Sequence, residues 1–194
     1  MDKLSNLQEI LLILTGLKSQ IEQALRSIQA EERIKDEDLK FTVANYLHIL
    51  ICNFNEEWHR FEGLGFDNAV KKSLIIASPV VDRIKKWSGL NKIRSSLLTH
   101  PHRNKNGTVA FPWDIFAKNQ APTAYAETIL IGNCAIMAIK VALLYHNDEY
   151  IIARDYILAQ TRQIETKGIQ TVGQIKTELK KINEEIKQKA IENP

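Results

Sequence analysis

The densest run of phosphate-binding side chains lies between residues 83 and 105, where Arg83, Lys85, Lys86, Lys92, Arg94, Arg103 and Lys105 occur with no acid among them. That window carries +7, while the chain as a whole is only +3, so everything outside it sums to −4. A local cluster of this kind suits a polyanion, because each phosphate it neutralises releases condensed counterions. A solvated face at a helix C-terminus, which favours cations for its own reasons, is the plainer explanation of the same residues. Two histidines, His100 and His102, sit inside the window, separated by Pro101. As metal ligands they lack a third His, Cys or carboxylate before Asp114, so no metal site is expected and no cofactor is called for.

Other chemistry-bearing groups read more simply. Glu56 and Glu57 form a carboxylate pair within Asn55-Glu56-Glu57-Trp58-His59, best explained as a solvated helix face above a core Trp58. Cys52 and Cys134 each lie in an apolar helical stretch without C-x-x-C spacing, and read as small buried hydrophobes. Glycine-rich phosphate loops, G-x-S-x-G elbows and H-E-x-x-H helices are missing from the sequence.

The elements that must position these residues are helical. Leu7, Leu11, Leu14, Ile21, Leu25 and Ile28 recur at helical spacing and predict a long first helix over residues 3–34. Asp36 caps a second helix carrying Phe41, Leu47, Leu50, Ile51, Phe54 and Trp58, which Gly63 and Gly65 stop. Asp67 opens a third segment, and the Ser78-Pro79 pair reads as the N-cap and first turn of a separate helix running to Trp87 and closed by Gly89. Asn91 caps a short helix through Ile93, Leu97 and Leu98, which must end at His100 because Pro101 follows.

Residues 101–122 form the one long loop, with Pro101, Gly107, Pro112 and Pro122 and no periodicity. Its Phe111 and Trp113 either stack on bases or, the better reading, anchor the loop on the bundle. Thr123 starts the most apolar helix, whose Gly132, Ala135, Ala138 and Ala142 allow close backbone approach and mark it as the centre of the bundle. A helix over 148–167 follows, and Thr171 with Gln174 forms a capping box for a last amphipathic helix through Ile175, Leu179, Ile182 and Ile186.

No alternating apolar and polar segment appears, so the fold class is all-α: an antiparallel helical bundle of about six to seven helices. The expected organisation is a single domain over 1–194, with a core over about 36–146 and the terminal helices, 3–34 and 148–192, packed on it. Acids near the N-terminus without a cleavage site, and Asn133 and Lys140 within the most apolar stretch, point to a soluble, cytoplasmic protein without a membrane span.

The stretch WSGLNKIRSSLLTHPHRNKNG, residues 87–107, places five residues between Arg94 and His100. It resembles the signature of the HEPN superfamily, helical nucleotide-binding domains in which an arginine is followed by four to six residues and a histidine. The resemblance covers residues 36–146 in architecture and 87–107 in motif.

The resemblance implies a metal-independent endoribonuclease, of the kind found in toxin–antitoxin and phage-defence systems, acting on RNA through a site shared by two protomers. A homodimer is therefore expected, with an antitoxin or other protein as a further partner. Arg94 would stabilise charge on the phosphate, and His100 would shuttle the proton between the attacking 2′-hydroxyl and the leaving oxygen. Residues six apart on a helix stand roughly 120° apart, so the two side chains share a face only if the helix breaks, as Pro101 invites. Arg103, Lys92, Lys105 and His102 are the accompanying phosphate-binding candidates.

The pattern departs at Ser95, in the third catalytic position, where active members usually carry Asn, Asp or His. A serine hydroxyl hydrogen-bonds but does not titrate in range. The alternative expectation is accordingly a non-catalytic HEPN-like module binding RNA, nucleotide or a protein partner.

Overall fold

The computed structural model describes residues 3–29, 37–87, 89–90, 121–122, 124–160 and 171–192. Among the described residues there are six helices and no strand: α1 (Asn6–Gln29), α2 (Glu37–Glu62), α3 (Asn68–Lys85), α4 (Tyr125–Tyr145), α5 (Asn147–Gln160) and α6 (Val172–Glu192). The chain divides into two compact units, Met1–Leu158 and Ala159–Pro194. The first is a packed helical bundle, the all-α class that the periodicity predicts; the second contains α6. Asp36, the short helix expected over 91–100 and most of the long loop lie outside the described residues.

Local sequence sets the helix ends. Ser5 and Gln8 exchange bonds at the start of α1: the Ser5 amide donates to Gln8 Oε1 at 3.0 Å and the Gln8 amide donates to Ser5 Oγ at 3.3 Å. The same reciprocal box opens α6 as expected, with the Thr171 amide 2.8 Å from Gln174 Oε1 and the Gln174 amide 3.3 Å from Thr171 Oγ1. Asp67 opens α3, its Oδ1 accepting from the amides of Ala69 at 2.7 Å and Val70 at 3.1 Å. Those bonds to the ionised form hold its carboxyl below the ordinary aspartate value.

The Ser78-Pro79 pair does not start a new helix. Pro79 lies inside α3, which runs unbroken from Asn68 to Lys85. Proline has no amide to give the carbonyl four residues back, which is Ile75 here. Ser78 Oγ donates to that carbonyl at 3.0 Å, so a side-chain hydroxyl replaces the missing backbone donor. Pro79 is also exposed, and the buried side of α3 is carried by Val70, Ser73, Ala77, Val81 and Ile84. That apolar spacing continues across the proline and outweighs its local preference for a helix start.

The bundle forms around α4, which packs against α1, α2 and α3. Leu11, Leu14, Ile21, Leu25 and Ile28 of α1 are buried, as are Leu47, Leu50, Ile51, Phe54 and Trp58 of α2. By length and composition α4 would pass for a membrane span, yet Ile131, Gly132, Ala135, Ala138, Ile139 and Ala142 are buried against its neighbours. Two histidines tie other helices to it. His48 Nε2 lies 3.1 Å from Thr128 Oγ1, and His146 Nε2 lies 3.2 Å from Ser73 Oγ.

Candidate functional site

The expected site residues Lys92, Arg94, Ser95, His100, His102, Arg103 and Lys105 lie outside the described residues, as do Phe111 and Trp113. The structure does describe the ground from which that segment leaves the bundle. The buried positions Val81 and Ile84 of α3 leave Arg83 and Lys85 exposed, as is the C-cap Lys86, so the first three cations of the basic window are all at the surface. The Arg83 guanidinium lies over the Trp87 ring, 5.9 Å from its centroid.

Past the helix end, the Trp87 amide donates to the Ile84 carbonyl at 3.1 Å and the Leu90 amide to the Trp87 carbonyl at 3.2 Å. Leu90 is buried, and its carbonyl accepts the Cys52 thiol at 3.1 Å. The chain is thereby fixed to α2 four residues before Arg94. Cys52 and Cys134 are both buried, as their surroundings in sequence suggest.

A pocket of about 290 Å³ opens between α2 and α3 at this point. One face of α2, spaced at three and four residues, contributes Asn55, Trp58, His59 and Glu62; Val81, Ile84 and Lys85 of α3 face it, and Trp87 and Leu90 close it. Its floor is rigid, because Trp58 is held between Phe54 and Phe61 with ring centroids 5.5 and 5.2 Å away. At the rim, Glu62 bridges two basic groups: Oε1 lies 3.2 Å from Lys85 Nζ and Oε2 lies 3.4 Å from His59 Nδ1.

Sequence reasoning missed this pocket as a unit. Trp87 stood in the motif and Asn55, Trp58 and His59 in the acidic cluster, but only packing places them side by side. The i, i+3, i+4, i+7 spacing of 55, 58, 59 and 62 was the available signal.

The carboxylates of that cluster do not act as a pair. Glu56 is exposed while Glu57 is buried, since adjacent helix positions point about 100° apart. Glu57 Oε1 takes an ion pair from Arg60 Nη1 at 3.2 Å, and its buried Oε2 has no hydrogen-bond partner among the described residues.

Ser73, His146 and Asp67 form a constellation that superficially suits nucleophilic catalysis. The carbonyls of Ala69 at 2.9 Å and Val70 at 3.0 Å compete with His146 Nε2, 3.2 Å away, for the single proton of Ser73 Oγ. Ser73 is also fully buried, out of reach of any substrate. Among the described residues no three His, Cys, Asp or Glu side chains gather as metal ligands would.

No family model, curated protein or solved structure matches the chain. The HEPN resemblance therefore stands on the residues of the motif itself.

Proposed function

We propose that the protein is a HEPN-type, metal-independent endoribonuclease working as a homodimer, with Arg94 and His100 of each protomer facing one shared cleft. The observation that carries the reading is the joint placement of cations and pocket. Arg83, Lys85 and Lys86 are exposed beside an indole-walled cavity at the foot of the segment that holds the Arg-x5-His motif. A positive edge of this kind attracts a phosphate backbone.

In the proposed reaction the 2′-oxygen of one ribose attacks its own 3′-phosphate, forming a cyclic phosphate. The bond to the next nucleotide's 5′-oxygen breaks. His100 takes the 2′-hydroxyl proton and returns one to the 5′-oxygen, while Arg94 offsets charge on the phosphate oxygens. Arg103, Lys92, Lys105 and His102 would hold neighbouring phosphates. A role in a toxin–antitoxin or phage-defence system, with an inhibitory protein partner, belongs to the same proposal.

The test is incubation of the purified protein with RNA in excess EDTA. Cleavage is expected to persist, leaving cyclic phosphate and 5′-hydroxyl ends, and to fall by at least about a hundredfold in both Arg94→Ala and His100→Ala with helicity unchanged. Undiminished cleavage in either variant removes that residue from the mechanism. Ser95 favours a second reading, a non-catalytic module that binds RNA through the same surface. Salt-sensitive binding with no turnover would select it.

A further inference from the structure

We infer that the pocket between α2 and α3 is a subsite for one unpaired base of single-stranded RNA. The polymer's identity rests on the reading above; the base rests on the pocket. At about 290 Å³ the cavity is at the small end of ligand sites and takes one heteroaromatic ring system, not a whole nucleotide chain. Its walls are Trp58, Val81, Ile84 and Leu90, and the half-buried Trp87, whose ring lies under the Arg83 guanidinium, lines its edge.

Asn55 supplies the polar edge. Its carboxamide lines the pocket and offers both a donor and an acceptor, as the edge of a base requires. The charges around the opening agree with a nucleic acid. Arg83 and Lys86 are exposed, and the one lining carboxylate, Glu62, is offset by Lys85.

Position ties this subsite to the motif. Leu90 lines the pocket four residues before Arg94, a span of at most about 14 Å of chain. A base seated here and a phosphate held by Arg94 would belong to the same short stretch of strand. Bases within a duplex are stacked on their neighbours and cannot enter, so the site selects single strands.

The experiment compares binding of two uncleavable 2′-O-methyl oligonucleotides of equal length, one carrying bases and one abasic, to the full-length protein by fluorescence anisotropy at fixed salt. The base-bearing strand is expected to bind about tenfold more tightly. That preference should vanish in Trp87→Leu, survive in Trp87→Phe and weaken in Asn55→Ala, while the abasic affinity stays level across all variants. Circular dichroism confirms that each variant is folded, and Asn55→Ala leaves the indole in place.

Equal binding of the two strands by the unaltered protein overturns the base subsite and leaves the ribonuclease reading standing. A preference that persists in Trp87→Leu places the base elsewhere. Failure of both strands to bind removes the subsite and the RNA reading together.

Discussion

His48 and His146 are the residues where pH reaches into the bundle. Burial pushes the His48 pKa from its ordinary 6.5 down to about 4. Burial also lowers that of His146, against the opposing pull of Asp67 and Glu149. In both cases the folded protein prefers the neutral ring. Thr128 Oγ1 donates to the Ala124 carbonyl at 3.3 Å, which leaves His48 Nε2 as the donor to Thr128. Between pH 6.5 and about 4 the unfolded chain binds more protons than the native one, so stability is greatest above 6.5 and declines as pH falls through that window. His48 alone accounts for roughly 3 kcal/mol of the decline. Urea midpoints measured at pH 7.5, 5.5 and 4.5 should fall in that order, and His48→Gln should flatten the trend; a midpoint independent of pH would show that neither ring is held neutral.

At the scale of an element, α3 is the instructive case. Its proline is exposed and its freed carbonyl is taken by Ser78. The helix thus tolerates Pro79 without needing it. Pro79→Ala restores the backbone bond from residue 79 to Ile75 and gives back a helix former. Thermal denaturation should show stabilisation of about 1 to 3 kcal/mol. A lower melting temperature in that variant would mean that the proline ring itself makes a stabilising contact. The helix ends illustrate the converse case, local sequence carrying the full instruction. Ser5 with Gln8 and Thr171 with Gln174 place a hydroxyl and an amide three residues apart, and both pairs close as capping boxes.

For the molecule as a whole, a close approach between α1 and α4 gives the test. A Cβ added at Gly132 would stand 3.2 Å from Leu25 Cδ2 and 3.3 Å from Cδ1. Leu25 is itself buried, so it has little room to withdraw. Gly132→Leu should therefore cost at least about 3 kcal/mol, beyond the usual range for overpacking, because a whole isobutyl group must displace α1. Gly132→Ala is milder, since its gain in helix propensity, about 1 kcal/mol, works against the clash. Denaturation of the two variants checks the order; equal stability of Gly132→Leu and the unaltered chain would show that the helices can separate freely. The same packing explains why so apolar a helix as α4 is needed, because it is covered on three sides.

The fold class was legible in the chain because it depends on periodicity. The stripes on α1 and α2, the small residues of α4 and the turn at Gly63 and Gly65 all follow from short-range spacing, which burial rewards wherever the helices pack. Pro79 was misread for the same reason: a Ser-Pro pair is a helix start in isolation, and only the core contacts of Val81 and Ile84 carry α3 past it. The Arg94 to His100 spacing and the basic window were likewise visible as linear pattern. What spacing could not supply was the pocket, since Asn55, Trp58, Lys85 and Trp87 come from different elements. Their meeting depends on how α2 and α3 cross and on Leu90 being fastened to Cys52. Side-chain periodicity fixes which face of a helix is apolar, whereas the partner for that face, and any cavity left between partners, is settled by three-dimensional packing.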